Sequence, residues 1–351
     1  MARGKLAVGL DIGSSGVKLV QLKERKGGYA LQAFGVAPLP PEVIVDGALM
    51  NSAAIVSAIQ ELVAAQKVKT KEVAIGVRGH SVIIKKISLP RMTQEKLDES
   101  IQWEAEQYIP FDVKDVNIDT QILTPDGDAA GQMDVLLVAA KKDMINDYTS
   151  VCAEAGLTAT VVDVDAFAVQ NAYEANYELG TDTVVLINVG AAVANINILA
   201  KGNTTFTRDI TMGGNAFTEE IQKQLNISYD EAEALKVGGQ GETDAVVPQE
   251  VERVIQGVAE QMAGEIQRSL DFYAATAADS RIARIYLSGG TARIPALFKV
   301  IEARAGVPVE ILNPFKNIEV DNRRFDPAVI LGAAPSVAVG VGLALRRPGD
   351  K

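Results

Sequence analysis

The chain of 351 residues holds a single cysteine, Cys152, and a single histidine, His80. One cysteine excludes a disulfide within the chain, and the two residues together are too few for a Cys/His zinc cluster. A Ser-His-Asp triad could draw only on His80, and nothing around that residue suggests one. The lack of disulfides suits a reducing cytoplasm. Positive charge is also scarce: 34 Lys and Arg stand against 45 Asp and Glu, a net charge of −11. That balance opposes non-specific nucleic-acid binding, although a local basic anion site remains compatible with it. The apolar stretch Leu6–Leu10 is cut short by Asp11, too soon for the core of a secretory leader. One uncharged run, Ala328–Leu345, reaches the 18 residues that a membrane span needs. It is rich in Ala and Gly, contains Pro335, and carries Gly332, Gly340 and Gly342. Its modest hydropathy predicts a buried, closely packed helix rather than a span. The hydrophobic content of 48% excludes disorder and supplies a sizeable core. The length suggests two lobes, or a domain with insertions.

The informative positive feature is a phosphate-loop pattern that occurs twice. The first copy is Leu10-Asp11-Ile12-Gly13-Ser14-Ser15-Gly16-Val17-Lys18-Leu19-Val20. The second is Ile187-Asn188-Val189-Gly190-Ala191-Ala192-Val193-Ala194-Asn195-Ile196-Asn197. Each reads as strand, tight turn, strand, with a polar residue two positions before a glycine. A glycine turn can aim backbone N–H groups at an anion. In the first loop the amides of Gly13–Gly16 and the hydroxyls of Ser14 and Ser15 can donate to phosphate oxygens. Lys18 adds positive charge, and Asp11 can hold a hydrated Mg²⁺. In the second loop Gly190, Ala191 and Ala192 offer backbone donors, and Asn188 can orient a metal-bound water without bringing charge. Taken singly, either copy also reads as an ordinary hairpin.

Three further sites follow. Gly213-Gly214 precedes a helix at Ala216–Leu225, a place for an anion or ribose. Glu233 and Lys236 lie three apart on one helical face. Glu233 could take ribose hydroxyls and Lys236 could flank a purine, or the two could form a solvated salt bridge. In Leu287-Ser288-Gly289-Gly290-Thr291-Ala292-Arg293-Ile294-Pro295, Gly289 and Gly290 let a flat base approach the backbone. Arg293 could stack on it; a plain strand-to-helix turn is the alternative.

Along the chain, residues 6–22 and 28–36 read as strands and Ser52–Lys67 as a helix with Ile55, Ile59, Leu62 and Val63 on one face. Val73–Val77 and Val82–Leu89 follow as strands. A helix at Gln94–Ile109 is capped by Thr93 and stopped by Pro110. Thr124–Gly131 is a turn, Val135–Ala140 a strand and Asp143–Ala155 a helix. Residues 84–160 thus read as a β-α-β-β-α insertion, with Trp103 and Tyr108 available for a small core of its own. A strand at Thr160–Val164, a helix at Ala166–Tyr177, the second hairpin at Val184–Leu199 and a strand at Phe206–Ile210 come next. A long amphipathic helix then carries Val251, Ile255, Val258, Met262, Ile266, Leu270 and Tyr273. Lys236–Val247 is the most linker-like stretch.

The order of these motifs resembles the actin/Hsp70/sugar-kinase ATPase superfamily nearly end to end. The insertion is similar to subdomain 1C of the cell-division protein FtsA. Phe206-Thr207-Arg208-Asp209-Ile210 with Gly213-Gly214, Ala232-Glu233-Ala234-Leu235-Lys236 and Val161-Val162-Asp163-Val164-Asp165-Ala166-Phe167-Ala168 resemble the PilM family of type IV pilus assembly. The resemblance implies an α/β, actin-like (ribonuclease H-like) two-lobed ATPase fold with an FtsA-like 1C insertion. It places subdomain 1A at 1–83, 1C at 84–160, and a connecting helix with the rest of 1A at 161–182. Subdomain 2A then covers 183–220, 2B 221–280, the rest of 2A 281–327, and the second connecting helix 328–351. It implies ATP or ADP with Mg²⁺ between the lobes. It also implies a 1A/1C groove for the cytoplasmic N-terminal tail of the inner-membrane protein PilN, which would tether a cytoplasmic protein to the membrane alongside other platform proteins.

One departure stands out. The superfamily carries Asp where this chain has Asn188, and Thr or Ser where it has Ala191 and Ala192. With no general base evident, and with Asp163 and Asp165 read as structural, slow or absent hydrolysis is expected. A sugar-kinase-type phosphotransferase and an FtsA- or MreB-like filament former are the competing readings.

Overall fold

The computed structural model describes residues 5–125, 127, 131–238, 248–277 and 281–350. The chain opens on an antiparallel meander, β1 (Val8–Gly13), β2 (Gly16–Arg25) and β3 (Gly28–Pro38), followed by a small hairpin of β4 (Ile44–Val45) and β5 (Ala48–Leu49). Helix α1 (Ser52–Ala65) starts where the Asn51 side chain accepts a hydrogen bond from the Ala54 amide. It buries Ile55, Ala58, Ile59 and Leu62. Next come β6 (Glu72–Val77), β7 (Val82–Pro90), α2 (Gln94–Ala105), β8 (Val116–Ile122), β9 (Gln132–Lys141), α3 (Lys142–Glu154), β10 (Thr158–Val164) and α4 (Asp165–Asn176).

The second half holds β11 (Thr183–Val189), β12 (Ala194–Ala200), β13 (Asn203–Ile210), α5 (Gly214–Leu225), α6 (Tyr229–Gly238), α7 (Gln249–Thr276) and β14 (Ile282–Ser288). It continues through α8 (Pro295–Ala305), β15 (Val309–Ile311), β16 (Ile318–Glu319), α9 (Pro327–Ala333) and α10 (Ala338–Leu343). Two mixed sheets result, one in the order β10-β6-β1-β2-β3-β16 and the other β13-β12-β11-β14-β15. Each begins with an antiparallel meander and is extended by parallel strands reached through helical crossovers.

Each sheet has its own core. In the first, Leu10, Ile12, Leu19 and Ile75 pack with α1; in the second, Ile187, Ile196, Phe217 and Met262 pack with α5 and α7. The insertion forms a third, three-stranded sheet in the order β7-β9-β8, covered by α2, whose Leu97, Ile101 and Ala105 are buried against Leu89, Met133 and Leu137. Thr93 caps α2 through a bond from the Lys96 amide, but the helix ends at Ala105, before Pro110. Helix α3 does not join that core. Its Tyr148, Val151 and Cys152 sit with α1 and β1 in the first lobe. Burial there pushes the Cys152 thiol up to about 12, so it stays protonated and inert.

The uncharged tail departs from the single helix expected. Pro335 lacks an amide proton and breaks the run into α9, a 3₁₀ turn at Ala334–Val337, and α10. All six residues of α10 are buried. Among the described residues no helix is long and apolar enough to cross a membrane. The small residues serve close packing against α4: a Cβ on Gly342 would lie 1.7 Å from the Ala168 carbonyl oxygen. The turn expected at Thr124–Gly131 and the linker-like Lys236–Val247 lie partly outside the described residues.

Candidate functional site

The two hairpins that share a pattern face one another across a single cleft of about 260 Å³ between the sheets. In the first hairpin the register pairs Gly13 with Gly16, so Ser14 and Ser15 form the turn. In the second, Val189 pairs with Ala194, and the Gly190 amide closes the loop by donating to the Val193 carbonyl at 3.0 Å. That amide is therefore engaged, whereas those of Ala191 and Ala192 make no hydrogen bond among the described residues. Asp11, Gly13, Ser14, Ser15 and Lys18 line one wall. Asn188, Gly190, Ala191, Ala192, Gly214, Glu233, Lys236, Gly289, Gly290 and Arg293 line the other. Gly213 lies beneath this surface, where a Cβ would meet the Ala191 carbonyl oxygen at 2.5 Å.

The glycine turn after β14 has a steric cause. Gly289 has φ 89°, and a Cβ there would stand 2.2 Å from the Val189 carbonyl oxygen. Its amide donates to the Pro335 carbonyl at 2.7 Å, which ties this turn to the break in the tail and sets Ser336 beside the cleft. Thr291 Oγ1 donates to the Gly190 carbonyl at 2.8 Å, and the Gly214 amide donates to the same oxygen at 2.9 Å. Lys236 is not a solvated partner of Glu233. Its ammonium is buried, pairs with Glu233 at 2.5 Å, and donates to Thr218 Oγ1 at 2.9 Å and to the Gly214 carbonyl at 3.2 Å. Arg293 stands exposed on the rim.

The floor holds a charged cluster that sequence patterns only half revealed. Asp11 is buried and pairs with Lys18 at 3.1 Å. Arg78, one residue past β6, lies 3.6 Å from Asp11, donates to the Ile12 carbonyl at 2.8 Å, and forms an ion pair with Asp165 at the start of α4. Burial disfavours the Arg78 charge, but Asp165, Tyr148 and Asp11 outweigh it and hold the guanidinium firmly protonated. Burial also pushes Asp165 up to about 6, with Asp11 adding repulsion and Arg78 opposing. Asp165 Oδ1 is buried and has no hydrogen-bond partner among the described residues. Asp165 thus belongs to the cleft, not only to the connecting helix. Arg78, Asn195, Tyr229, Thr291 and Ser336 also line it. Arg78 and Asp165 sit at element ends, carry no glycine pattern, and reach the site only through strand order. The one available signal was a charged residue directly after an apolar strand.

A polar relay leaves the cleft from Asn188. Ser288 Oγ donates to Asn188 Oδ1 at 3.2 Å, and Asn188 Nδ2 donates to Asn195 Oδ1 at 3.4 Å. Asn195 Nδ2 donates to Asp209 Oδ1 at 2.7 Å, and Asp209 Oδ2 accepts from the Gly79 amide of the first lobe at 2.8 Å. His80 and Thr211 add a second contact between the lobes at 3.0 Å. Among the described residues no group of His, Cys, Asp and Glu could by itself hold a metal ion. A larger open groove of about 1080 Å³ runs over β13, α5 and α7, but it contains none of the glycine loops.

Comparison with known proteins places this geometry. MreB5 of Spiroplasma citri bound to AMPPNP shares the fold, with a TM-score of 0.51 at 13% identity over 96% of this chain and 94% of that one. The cell division protein FtsA of Enterococcus hirae is 25% identical over 357 residues, 90% of this chain and 79% of that protein. A chain of the PilM-PilN type IV pilus biogenesis complex superposes with a TM-score of 0.87 at 28% identity, over 98% of this chain and 99% of that one. The fold is therefore the two-lobed, actin-like α/β fold that the motif order implied. A family model described as type IV pilus assembly protein PilM matches residues 9–348, and with it the chain belongs to the PilM family of type IV pilus assembly proteins.

Proposed function

We propose that this protein binds ATP or ADP with Mg²⁺ between its lobes and docks the N-terminal cytoplasmic tail of PilN, which holds it at the inner-membrane pilus platform. The observation that carries the nucleotide reading is the convergence of two glycine hairpins on one cleft floored by Asp11, Lys18 and Arg78. The amides of Ala191 and Ala192 and the Ser14 and Ser15 hydroxyls are the phosphate donors. Lys18 and Arg78 supply compensating positive charge. Asp11 lines the cleft beside Lys18, and its carboxylate would hold Mg²⁺ through water. The metal, when bound, neutralises charge on the β- and γ-phosphates. Glu233 and Lys236 flank the ribose and purine, and Arg293 closes over the base from the rim.

The test is to denature the purified protein and identify any released nucleotide by chromatography, then to titrate ATP by calorimetry. A charge-assisted contact is worth roughly 1.5–3 kcal/mol. Asp11→Ala and Lys18→Ala should therefore each weaken ATP by about tenfold or more. Unchanged affinity in both would sink the site assignment.

The solved PilM-PilN complex supports the partner reading. In this chain β7 is an edge strand of its sheet, with Lys85 and Lys86 exposed and Ile84 half-buried, so an extended tail could lie against it. Excising residues 84–160 is not a usable control, because it removes α3 from the core of the first lobe. A synthetic PilN tail should instead bind the whole protein and lose affinity for a folded Ile84→Asp variant. Undiminished binding would place the groove elsewhere.

A further inference from the structure

Trp103 is the only tryptophan of the chain, and it stands on α2 with 76% of its surface exposed. It does not fill the insertion's core. Leu97, Ile101 and Ala105 do that from the opposite face, joined by Ile109 beyond the helix end. At helical spacing Trp103 shares its outward face with Glu95, Glu99 and Glu106, all exposed. None of these three carboxylates has an ion pair among the described residues. Residues 94–123 carry eight carboxylates and two amines, a net −6 in a chain whose total is −11. Solubility alone would account for the glutamates. It does not account for a bare indole among them, since tryptophan is enriched at the centres of binding sites and scarce on free surfaces.

We propose that the outer face of α2 is a docking surface for an arginine-bearing helical segment of a partner protein. A guanidinium is the group that satisfies both features of the face. It stacks on an indole and forms forked hydrogen bonds with flanking carboxylates. Arginines spaced four apart on a partner helix would match the four-residue steps from Glu95 to Glu99 to Trp103. The surface is separate from the cleft and from the β7 edge, so it stands or falls independently of the nucleotide and the PilN tail.

The single tryptophan makes the test direct. The probe is a helical, alanine-based peptide with arginine at every fourth position, titrated into the full chain while Trp103 emission is followed. The expected result is a saturable emission change that weakens with added salt and is absent with a control peptide that carries glutamate in place of each arginine. Because the indole is the reporter, the substitutions are followed by anisotropy of a labelled peptide. Trp103→Ala and the double variant Glu99→Lys/Glu106→Lys should each lower affinity about tenfold, as loss of a central anchor and reversal of its charged rim require. Both variants lie on an exposed face, so circular dichroism should show them folded. Binding that survives both would mean that the peptide is attracted by net charge alone, which overturns the proposal. So would a concentration-dependent dimer that buries Trp103 and disappears in Trp103→Ala, since the face would then meet a second copy.

Discussion

Asp165 has the most consequential environment of any side chain in the cleft. Its carboxyl is pushed up to about 6 by burial, with Asp11 adding to the shift. A raised carboxyl pKa means that the folded state holds its proton more tightly than the unfolded chain. The stability Asp165 contributes is therefore fully present below about pH 4 and is lost as pH rises through about 6. A displacement of about two pKa units corresponds to roughly 3 kcal/mol at most. Asp165→Asn mimics the protonated form. Urea unfolding of nucleotide-free protein should therefore show the wild type losing up to that amount relative to the variant between about pH 4 and 7. A pH-independent difference would mean that the carboxyl titrates normally. Asn188 is constrained in another way. A carboxylate at 188 keeps the Ser288 donor but turns like oxygens toward Asn195 Oδ1. Asn195 can flip only by giving up its bond to Asp209. Asn188→Asp should raise steady-state ATP hydrolysis from far below the roughly 1–1000 per second of evolved enzymes. It should also lower stability by about 1–3 kcal/mol. If rate and stability both stay put, the relay is inert.

At the level of elements, the strand–turn–strand loops were legible because a glycine turn between two apolar runs is a local signal. The Thr93 cap of α2 was legible for the same reason. What could not be read is where an element goes. Arg78 and Asp165 meet only because β10 pairs with β6 and α4 follows directly from β10. The tail was half legible. Its small residues announced close packing, while Pro335 fixed a break that the apolar run concealed. The two parts of that tail should respond oppositely to the same substitution. Gly342→Ala drives a methyl into the Ala168 carbonyl and should cost roughly 1–3 kcal/mol or more. Gly332→Ala meets no atom within 4 Å in α9, and should be neutral or gain about 0.5–1 kcal/mol from helix propensity. Thermal unfolding distinguishes the two, and equal effects would show that α10 is not packed as described.

At the level of the whole molecule, the order of the motifs, together with chain length, anticipated two lobes and an insertion. It did not anticipate that α3 would leave the insertion's core for the first lobe's, because the apolar face of Tyr148, Val151 and Cys152 fits either neighbour equally well by pattern. Nor could it show the Asp209 bridge, a contact between residues 130 apart. That bridge has a measurable signature in time. The Gly79 amide proton is held by a carboxylate of the opposite lobe, so it can exchange with solvent only when the lobes separate or the carboxylate swings away. Its deuterium uptake is thus a clock for cleft opening. Uptake should slow when nucleotide is bound and quicken in Asp209→Ala, while the amides of α1 keep their rates. If Gly79 exchanges at the same rate in all three forms, the Asp209 carboxylate does not protect that amide and the bridge does not time the opening of the cleft.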